Sequence, residues 1–238
     1  MATPSPVLST PLDASGPLVR PPIADLRALL AEKFPQAHRQ HDHDTASAFP
    51  VALEAARPER VALPCGVVTE VTGSHGSGAL FLERLLDAVA EASSWGALVD
   101  SGASFDPGPG AQRLARLLWV RCHDLRTALK ATDLLLRDGN LPLVVLDLQM
   151  HSHLRAVPST TWYRFARMLE STSTVLVVFT AQATLGAAAG ERLTLSSRWT
   201  LRALRQRRSR LRLQVERDER SSRRAAGNRF TAMDRQIA

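Results

Sequence analysis

The sequence is poor in cysteine, in aromatic residues and in lysine. Its 238 residues include two cysteines, Cys65 and Cys122, and only 5% aromatic side chains. Two thiols in a chain of this length suit a reducing compartment, where each is expected to be a small buried apolar side chain. This composition excludes a small secreted scaffold that is held together by disulfides.

Long hydrophobic runs are also missing. No apolar stretch approaches the roughly 18 residues that a membrane span requires. The first 22 residues lack the charged start and the apolar segment of a signal peptide. We therefore expect a cytoplasmic location, including association with the nucleoid.

The composition changes along the chain and predicts four regions. Six prolines make residues 1–22 an extended or disordered leader. Residues 23–59 are expected to hold a short amphipathic helix and a polar linker. Residues 60–198 contain the apolar runs of a folded core, and residues 199–238 form an Arg-rich strand and tail.

Positive charge is concentrated in the last region. From Trp199 onward there are twelve arginines against four acidic residues, a formal charge of about +8, whereas the whole chain carries +7. Such a segment is typical of an appendage that binds DNA or an acidic partner; the Arg-rich usage of a high-GC genome is the other explanation. The candidate contact residues are Arg202, Arg205, Arg207, Arg208, Arg210, Arg212, Arg217, Arg223 and Arg224.

The core alternates apolar runs with amphipathic stretches, the pattern of a parallel α/β sheet with crossover helices. Asp124 is expected to cap a helix, and Gly96 and Gly139 to end helices. The stretch after Gln182 is expected to be a loop. RLRLQVE at residues 210–216 alternates polar and apolar residues and predicts an antiparallel edge strand, with Arg208, Arg210 and Arg212 on one face. Strands are predicted over 66–72, 97–100, 116–121, 141–148 and 174–181, and helices over 80–96, 124–140 and 161–171.

One short stretch, VTGSHGSGAL at residues 71–80, has the skeleton of a phosphate-binding loop. Gly73 and Gly78 occupy the two glycine positions of the pattern G-x-x-x-x-G-K-[ST], with Gly76 between them. The Lys position holds Ala79 and the Ser/Thr position holds Leu80. The cation for the phosphates and the hydroxyl that ligates magnesium are both missing. The sequence therefore predicts a strand-to-helix turn that has lost its nucleotide.

Four segments, in order, resemble the core of the RecA recombinases. LPCGVVTEVTGSHGSGALFLERLL resembles the approach to the P-loop, and ALVDSGASFDP the strand that the catalytic Glu follows. RLLWVRCHDLRTALKATDLLLRDGNLPLVVLDL resembles the path to the Walker B strand, and RFARMLESTSTVLVVFTAQ the strand that ends in the γ-phosphate-sensing Gln. The resemblance covers about residues 60–185. It implies a RecA-like P-loop NTPase core, with a mostly parallel sheet flanked by helices and an antiparallel C-terminal edge.

The departures from this family concern its ATPase residues. The resemblance implies that Asp147 is the retained Walker B acid and Gln182 the retained sensor. Gly102 stands at the position of the catalytic Glu, and Ala79 and Leu80 replace the P-loop pair. We therefore expect a degenerate ATPase that is not an enzyme and that needs no cofactor.

Within RecA-like proteins, ALVDSGASFDPGPGAQRLARLLWVR and LLLRDGNLPLVVLDL resemble the ImuA family of accessory proteins of SOS mutagenesis. This resemblance implies a scaffold in translesion DNA synthesis and DNA damage tolerance. The implied partners are an ImuB-like Y-family polymerase homologue, an error-prone C-family DNA polymerase and RecA, with DNA as a further ligand.

Two other functions stay open. One is a RecA-type DNA-binding or filament-forming ATPase in which Arg84 or Arg121 replaces the missing lysine. The other is a cell-division inhibitor that resembles SulA and acts on FtsZ. The His/Asp run at residues 38–44 and the pattern of Asp147, His151 and His153 could suggest a metal site, but neither spacing supplies a fixed ligand shell, and no metal is expected.

Overall fold

The computed structural model describes residues 48–54, 59–73, 76–107, 114–197 and 199–218. The predicted leader, the N-terminal helix and the His-rich part of the linker lie outside these residues, as do Arg223 and Arg224. Within the described ranges, none of the helices has the length and apolar character that a membrane span requires.

Nine strands are present in the described residues, and the last seven of them form one sheet. In chain order the strands are β1 (Ala48–Ala52), β2 (Arg60–Pro64), β3 (Val68–Gly73), β4 (Gly96–Asp100), β5 (Leu117–Arg121), β6 (Leu143–Asp147), β7 (Val175–Thr180), β8 (Glu191–Leu195) and β9 (Val215–Arg217). The order across the large sheet is β5-β4-β6-β7-β3-β8-β9. Strands β3 to β8 pair in parallel, whereas β9 pairs antiparallel with β8. The predicted fold class, a mostly parallel α/β sheet with an antiparallel C-terminal edge, is confirmed.

The described helices are α1 (Ser77–Glu91), α2 (Leu125–Asp138), α3 (Ser159–Leu169) and the short α4 (Leu201–Leu204). Asp124 caps α2 as predicted, because its Oδ1 accepts a 2.7 Å hydrogen bond from the Thr127 backbone N–H. The backbone and side-chain hydrogen bonds from Thr127 lower the pKa of Asp124 below its ordinary value. Gly139 ends α2 in the left-handed conformation, with φ of 70°.

The predicted role of Gly96 as a helix stop is wrong. Helix α1 ends at Glu91, and Gly96 is the buried first residue of β4. A Cβ atom at this position would lie 3.2 Å from Val89 Cγ2. The glycine therefore lets the start of β4 approach the last turn of α1 closely, a packing requirement that the sequence pattern does not separate from a helix end.

The hydrophobic core has two layers, one on each face of the sheet. Alternate strand residues point to opposite faces, so that Leu143 and Val145 belong to one layer and Val144 and Leu146 to the other. Helix α1 packs in the first layer, and α2 and α3 pack in the second. Cys65 and Cys122 do not form a disulfide bond. Cys122 is buried in the second layer, where burial raises the pKa of its thiol, and Cys65 is half-buried.

A hairpin and the C-terminal segment complete the α1 layer. Strands β1 and β2 pair antiparallel, and Phe49 and Val51 of β1 are buried in this layer together with Leu211 and Leu213. The Leu213 N–H donates to the Leu53 carbonyl over 3.1 Å. The predicted region boundary at residue 60 therefore falls inside the hairpin, between two strands that pack on the core.

Two predictions about the C-terminal third are wrong in part. The stretch after Gln182 was expected to be a loop, but Glu191–Leu195 is strand β8, next to β3. Arg208, Arg210 and Arg212 were expected on one strand face, but Arg208–Arg210 is a 3₁₀ turn, and the strand pairing begins only at Val215. The alternation from Leu211 to Leu213 instead reflects two leucines that are buried in the core from the segment that precedes β9.

Candidate functional site

The glycine loop connects β3 to α1 at the carboxyl edge of the parallel strands. Gly76 immediately precedes the helix, with a left-handed φ of 76° that favours glycine. Gly78 lies in the first turn, where a Cβ atom would be 2.7 Å from Oε1 of Gln149. The amide of Gln149 therefore lies directly against the start of α1, the position at which a phosphate-binding helix presents its N–H groups to a ligand.

The two replaced residues of the loop have opposite environments. Ala79 is exposed, so the position that the P-loop pattern assigns to lysine faces solvent and carries no charge. Leu80 is only 5% exposed and belongs to the hydrophobic layer of α1. Position 80 thus contributes to folding, and the side chain there is directed into the core instead of toward a metal ion.

Asp147 ends β6 and makes its hydrogen bonds within the protein. It is 5% exposed. Its Oδ2 accepts from the Ser104 hydroxyl over 3.0 Å, and its Oδ1 accepts from the Gln149 backbone N–H over 3.0 Å. The Asp147 carboxylate therefore links the two loops that follow β4 and β6.

Asp100 lies beside Asp147 in the sheet register and is completely buried. Its carboxylate accepts hydrogen bonds from the Ser104 and Phe105 backbone N–H groups, at 3.1 and 3.4 Å, and from the Trp119 indole at 3.3 Å. This acid orders the loop after β4. It does not face an open site.

Gly102, at the position of the catalytic Glu, is exposed in that same loop. A Cβ atom there would lie 2.7 Å from Met150 Cγ and 2.9 Å from Met150 Cβ. Any larger residue at 102 would require Met150 to move.

Ser101 and His151 form a hydrogen-bonded pair at the same edge. The Ser101 hydroxyl donates to the Asp147 carbonyl, and its oxygen lies 2.9 Å from His151 Nε2. Because a hydroxyl has one proton, the ring nitrogen is then the donor of the second bond, and the serine is not activated as a nucleophile. The described residues contain no group of three His, Cys, Asp or Glu side chains placed to hold a metal ion.

Gln182 is exposed in the turn after β7. Glu70 of β3 forms hydrogen bonds to that turn. It is a completely buried residue that the sequence patterns did not single out. The Glu70 carboxylate accepts from the Thr184 and Leu185 backbone N–H groups, at 2.6 and 3.1 Å, and from Arg192 Nε at 2.9 Å. The available signal was an acidic residue among the Val and Thr residues of a predicted interior strand, since a buried carboxylate needs buried partners.

The arginines that were candidates for replacing the lysine are engaged elsewhere. Arg84 is 2% exposed and donates to the backbone carbonyls of Arg208 and Leu211, at 3.0 and 3.5 Å. Arg121 lies over the Trp119 ring, 5.0 Å from its centroid, at the edge strand β5. The structure therefore gives neither arginine the position of the P-loop lysine.

In the described part of the Arg-rich segment, residues 199–218, some arginines form ion pairs and others are exposed. Arg212 pairs with Glu59, Arg217 Nε lies 2.7 Å from Glu191, and Arg208 lies 3.8 Å from Glu83. Glu191 is buried, and desolvation raises its pKa despite the opposing effect of Arg217. The exposed arginines whose side chains form no hydrogen bond or ion pair with other described residues are Arg202, Arg205, Arg207 and Arg210.

A cavity of about 260 Å³ lies between α1 and the loop after β4. Its walls include Gly76 and Ala79 of the glycine loop, and its charged lining groups are Asp147, Glu83, Asp106 and Arg208. Three carboxylates face one guanidinium, whereas a nucleoside triphosphate needs a surplus of cations or a bound metal. The charged groups that line the cavity therefore do not supply the surplus of cations that a triphosphate needs.

No protein-family model and no curated protein sequence matches the chain. Among solved structures it is similar to the crystal structure of the RadB recombinase, with 19% sequence identity and a TM-score of 0.44; the similarity covers 56% of this chain and 76% of that chain. The fold class stands on the strand order and connections described above.

Proposed function

We propose that the protein is a non-catalytic, RecA-like scaffold that acts in SOS-response translesion DNA synthesis, as a relative of the ImuA family. The observation that carries the loss of catalysis is the pair Ala79 and Leu80. Ala79 supplies no cation, and Leu80 is part of the core. The Gln149 amide and Met150 further occupy the space beside Gly78 and Gly102.

The first experiment is a titration with ATP and magnesium. Phosphate binding by such a loop depends on charge-assisted hydrogen bonds, each of which contributes about 1.5–3 kcal/mol. With the lysine and the metal ligand both absent, we expect no saturable binding at micromolar ATP and no hydrolysis. Micromolar binding with hydrolysis would contradict the proposal.

The contact surface for DNA or an acidic partner is proposed to be the exposed arginines of the C-terminal segment. Guanidinium groups bind phosphates without reading sequence, and the affinity falls with salt. The test is the triple variant Arg205→Gln, Arg207→Gln and Arg210→Gln, assayed with a fluorescent dT oligonucleotide over a range of salt concentrations. We expect weaker binding and a slope of log affinity against log salt that is shallower by about 2.

The matched control removes three positive charges from the opposite face of the sheet, by Arg137→Gln, Arg155→Gln and Arg167→Gln. All three side chains are exposed. If this control lowers oligonucleotide affinity as much as the first variant, the effect comes from net charge alone and the assignment of the segment is wrong. Pull-down with an ImuB-like polymerase homologue, with RecA and with FtsZ then distinguishes the mutagenesis role from that of a cell-division inhibitor.

A further inference from the structure

A groove between α2 and α3 lies on the face of the sheet opposite to the Arg-rich segment. Its volume is about 470 Å³, and the start of α2, the turn before α3 and the first turns of α3 form its walls. The apolar side chains of Leu125, Leu129 and Val157 line it, and each of them is half-buried. This face therefore offers an apolar floor that the fold itself does not fully cover.

The rim of this groove is basic. Arg126 and Lys130 are exposed on the α2 wall, one helical turn apart, and Arg164 stands on the α3 wall. Asp133 is the one carboxylate among the lining residues. Arg137 Nε lies 2.7 Å from its Oδ2, and Arg164 Nε lies 3.0 Å from its Oδ1. Two arginines thus pair with the single Asp133 carboxylate, and the rim has a net positive charge.

We propose that this groove binds an acidic amphipathic helix of a partner protein. An apolar floor between two helices accepts aliphatic side chains that recur every three or four residues along a docked helix. The basic rim fits Glu or Asp side chains on the flanks of that helix. The residues of α2 that line the groove run from Leu125 to Asp133, about 12 Å along the helix axis, so that the groove can contact two to three turns of a bound helix.

The apolar floor favours a protein ligand over a nucleic acid. A phosphate backbone gains nothing from Leu125, Leu129 and Val157, and the residues that line the groove include no aromatic side chain on which a base could stack. The proposal depends neither on the polymerase partners nor on the Arg-rich segment, which lies on the other face of the sheet.

The experiment is a selection from a phage-displayed library of 16-residue peptides on the immobilised full-length protein. The peptides obtained are then labelled and titrated by fluorescence anisotropy. We expect enriched sequences that combine helical spacing of Leu, Ile or Phe with two or more acidic residues. We also expect hydrogen-exchange protection of residues 125–138 and 157–164 when a selected peptide is bound. Enrichment without acidic residues, protection elsewhere, or no enrichment over the starting library would overturn the proposal.

Two pairs of variants test the location of the peptide. Lys130→Glu is paired with Arg167→Glu, an exposed position of α3 outside the groove, and Leu129→Asn is paired with Leu134→Asn, a side chain of α2 that is 60% exposed. We expect the first member of each pair to weaken peptide binding about tenfold and the second less than about twofold. If Leu129→Asn unfolds the protein in a thermal melt, the exposed pair at 130 and 167 decides.

Two further measurements separate the groove from the other proposals. The triple variant at Arg205, Arg207 and Arg210 should bind the selected peptide with unchanged affinity, because those residues lie on the opposite face. Loss of peptide binding by the triple variant would place the peptide on the Arg-rich segment and would overturn the groove. A dT oligonucleotide is then tested for displacement of the peptide from the wild type and from the triple variant. Displacement from both proteins would identify the groove as a nucleic-acid site and would also overturn the proposal.

Discussion

Ala79 and Leu80 are neighbours in the sequence, yet substitution should affect them very differently. Ala79 is exposed, so Ala79→Lys should leave stability unchanged within about 0.5 kcal/mol. Leu80 is buried, so Leu80→Thr removes core contacts and buries a hydroxyl, at a cost of about 2–4 kcal/mol. Urea unfolding of both variants measures these costs.

Ala79→Lys also tests whether one substitution gives the glycine loop the ability to bind ATP. Because the Gln149 amide lies against Gly78, restoring the lysine alone should not restore ATP binding, as read from a fluorescent ATP analogue. Tight binding by Ala79→Lys would show that the missing cation was the only obstacle.

That positions 79 and 80 carry neither a lysine nor a hydroxyl can be read from the sequence, because the P-loop pattern assigns one residue to each role. The positions of Gln149 and Met150 cannot be predicted in this way. Both follow β6 and meet Gly78 and Gly102 only after the strands are placed side by side. The local sequence pattern thus predicts which chemical groups are absent at positions 79 and 80. It does not predict that Gln149 and Met150 lie against Gly78 and Gly102.

At the scale of elements, Glu70 joins strand β3 to the turn after β7 and to β8. Glu70→Gln leaves Arg192 without its buried charged partner and weakens the bonds from Thr184 and Leu185. Breaking one side of such a buried pair costs about 3 kcal/mol. The control is Arg212→Gln, whose partner Glu59 is half exposed, and its cost should stay below about 1 kcal/mol. Similar costs in urea unfolding would contradict the assigned role of Glu70.

Glu191, at the start of β8, gives a prediction of pH dependence. Burial raises its pKa in the folded protein above the ordinary value of 4.5. The folded state then binds the proton more tightly than the unfolded state does. The stabilising contribution is complete below the ordinary value and is lost as the pH rises through the raised pKa. Relative to Glu191→Gln, the wild type should therefore melt at a progressively higher temperature as the pH falls from 7 toward 4.5. An unchanged or reversed difference in calorimetry would exclude this explanation.

The elements that the sequence predicts well are the apolar parallel strands β4, β6 and β7, because strands buried on both faces have continuous apolar runs. Strand β8 was missed. Its sequence, ERLTL, includes a buried Glu191 that pairs with Arg217 of β9. Only the tertiary pairing explains how such a sequence becomes an interior strand.

At the scale of the whole molecule, the Arg-rich segment is structural as well as basic. Removing everything after residue 198 would delete β9, expose the sites that Leu211 and Leu213 fill, and leave the buried Arg84 without its carbonyl partners. We expect this truncation to lower the melting temperature by more than about 10 °C or to abolish cooperative unfolding. Circular dichroism melts measure both effects. A truncated protein with the wild-type melting temperature would show that the segment is a separable appendage.

The contact between Arg84 and the C-terminal segment has a consequence for how the protein can change over evolutionary time. Arg84 donates hydrogen bonds to two main-chain oxygens, a group that every residue has. Substitution of Arg207 or Arg210 therefore leaves these two hydrogen bonds in place. The exposed side chains of the segment can change together with a binding partner, while Arg84 still holds the segment against α1.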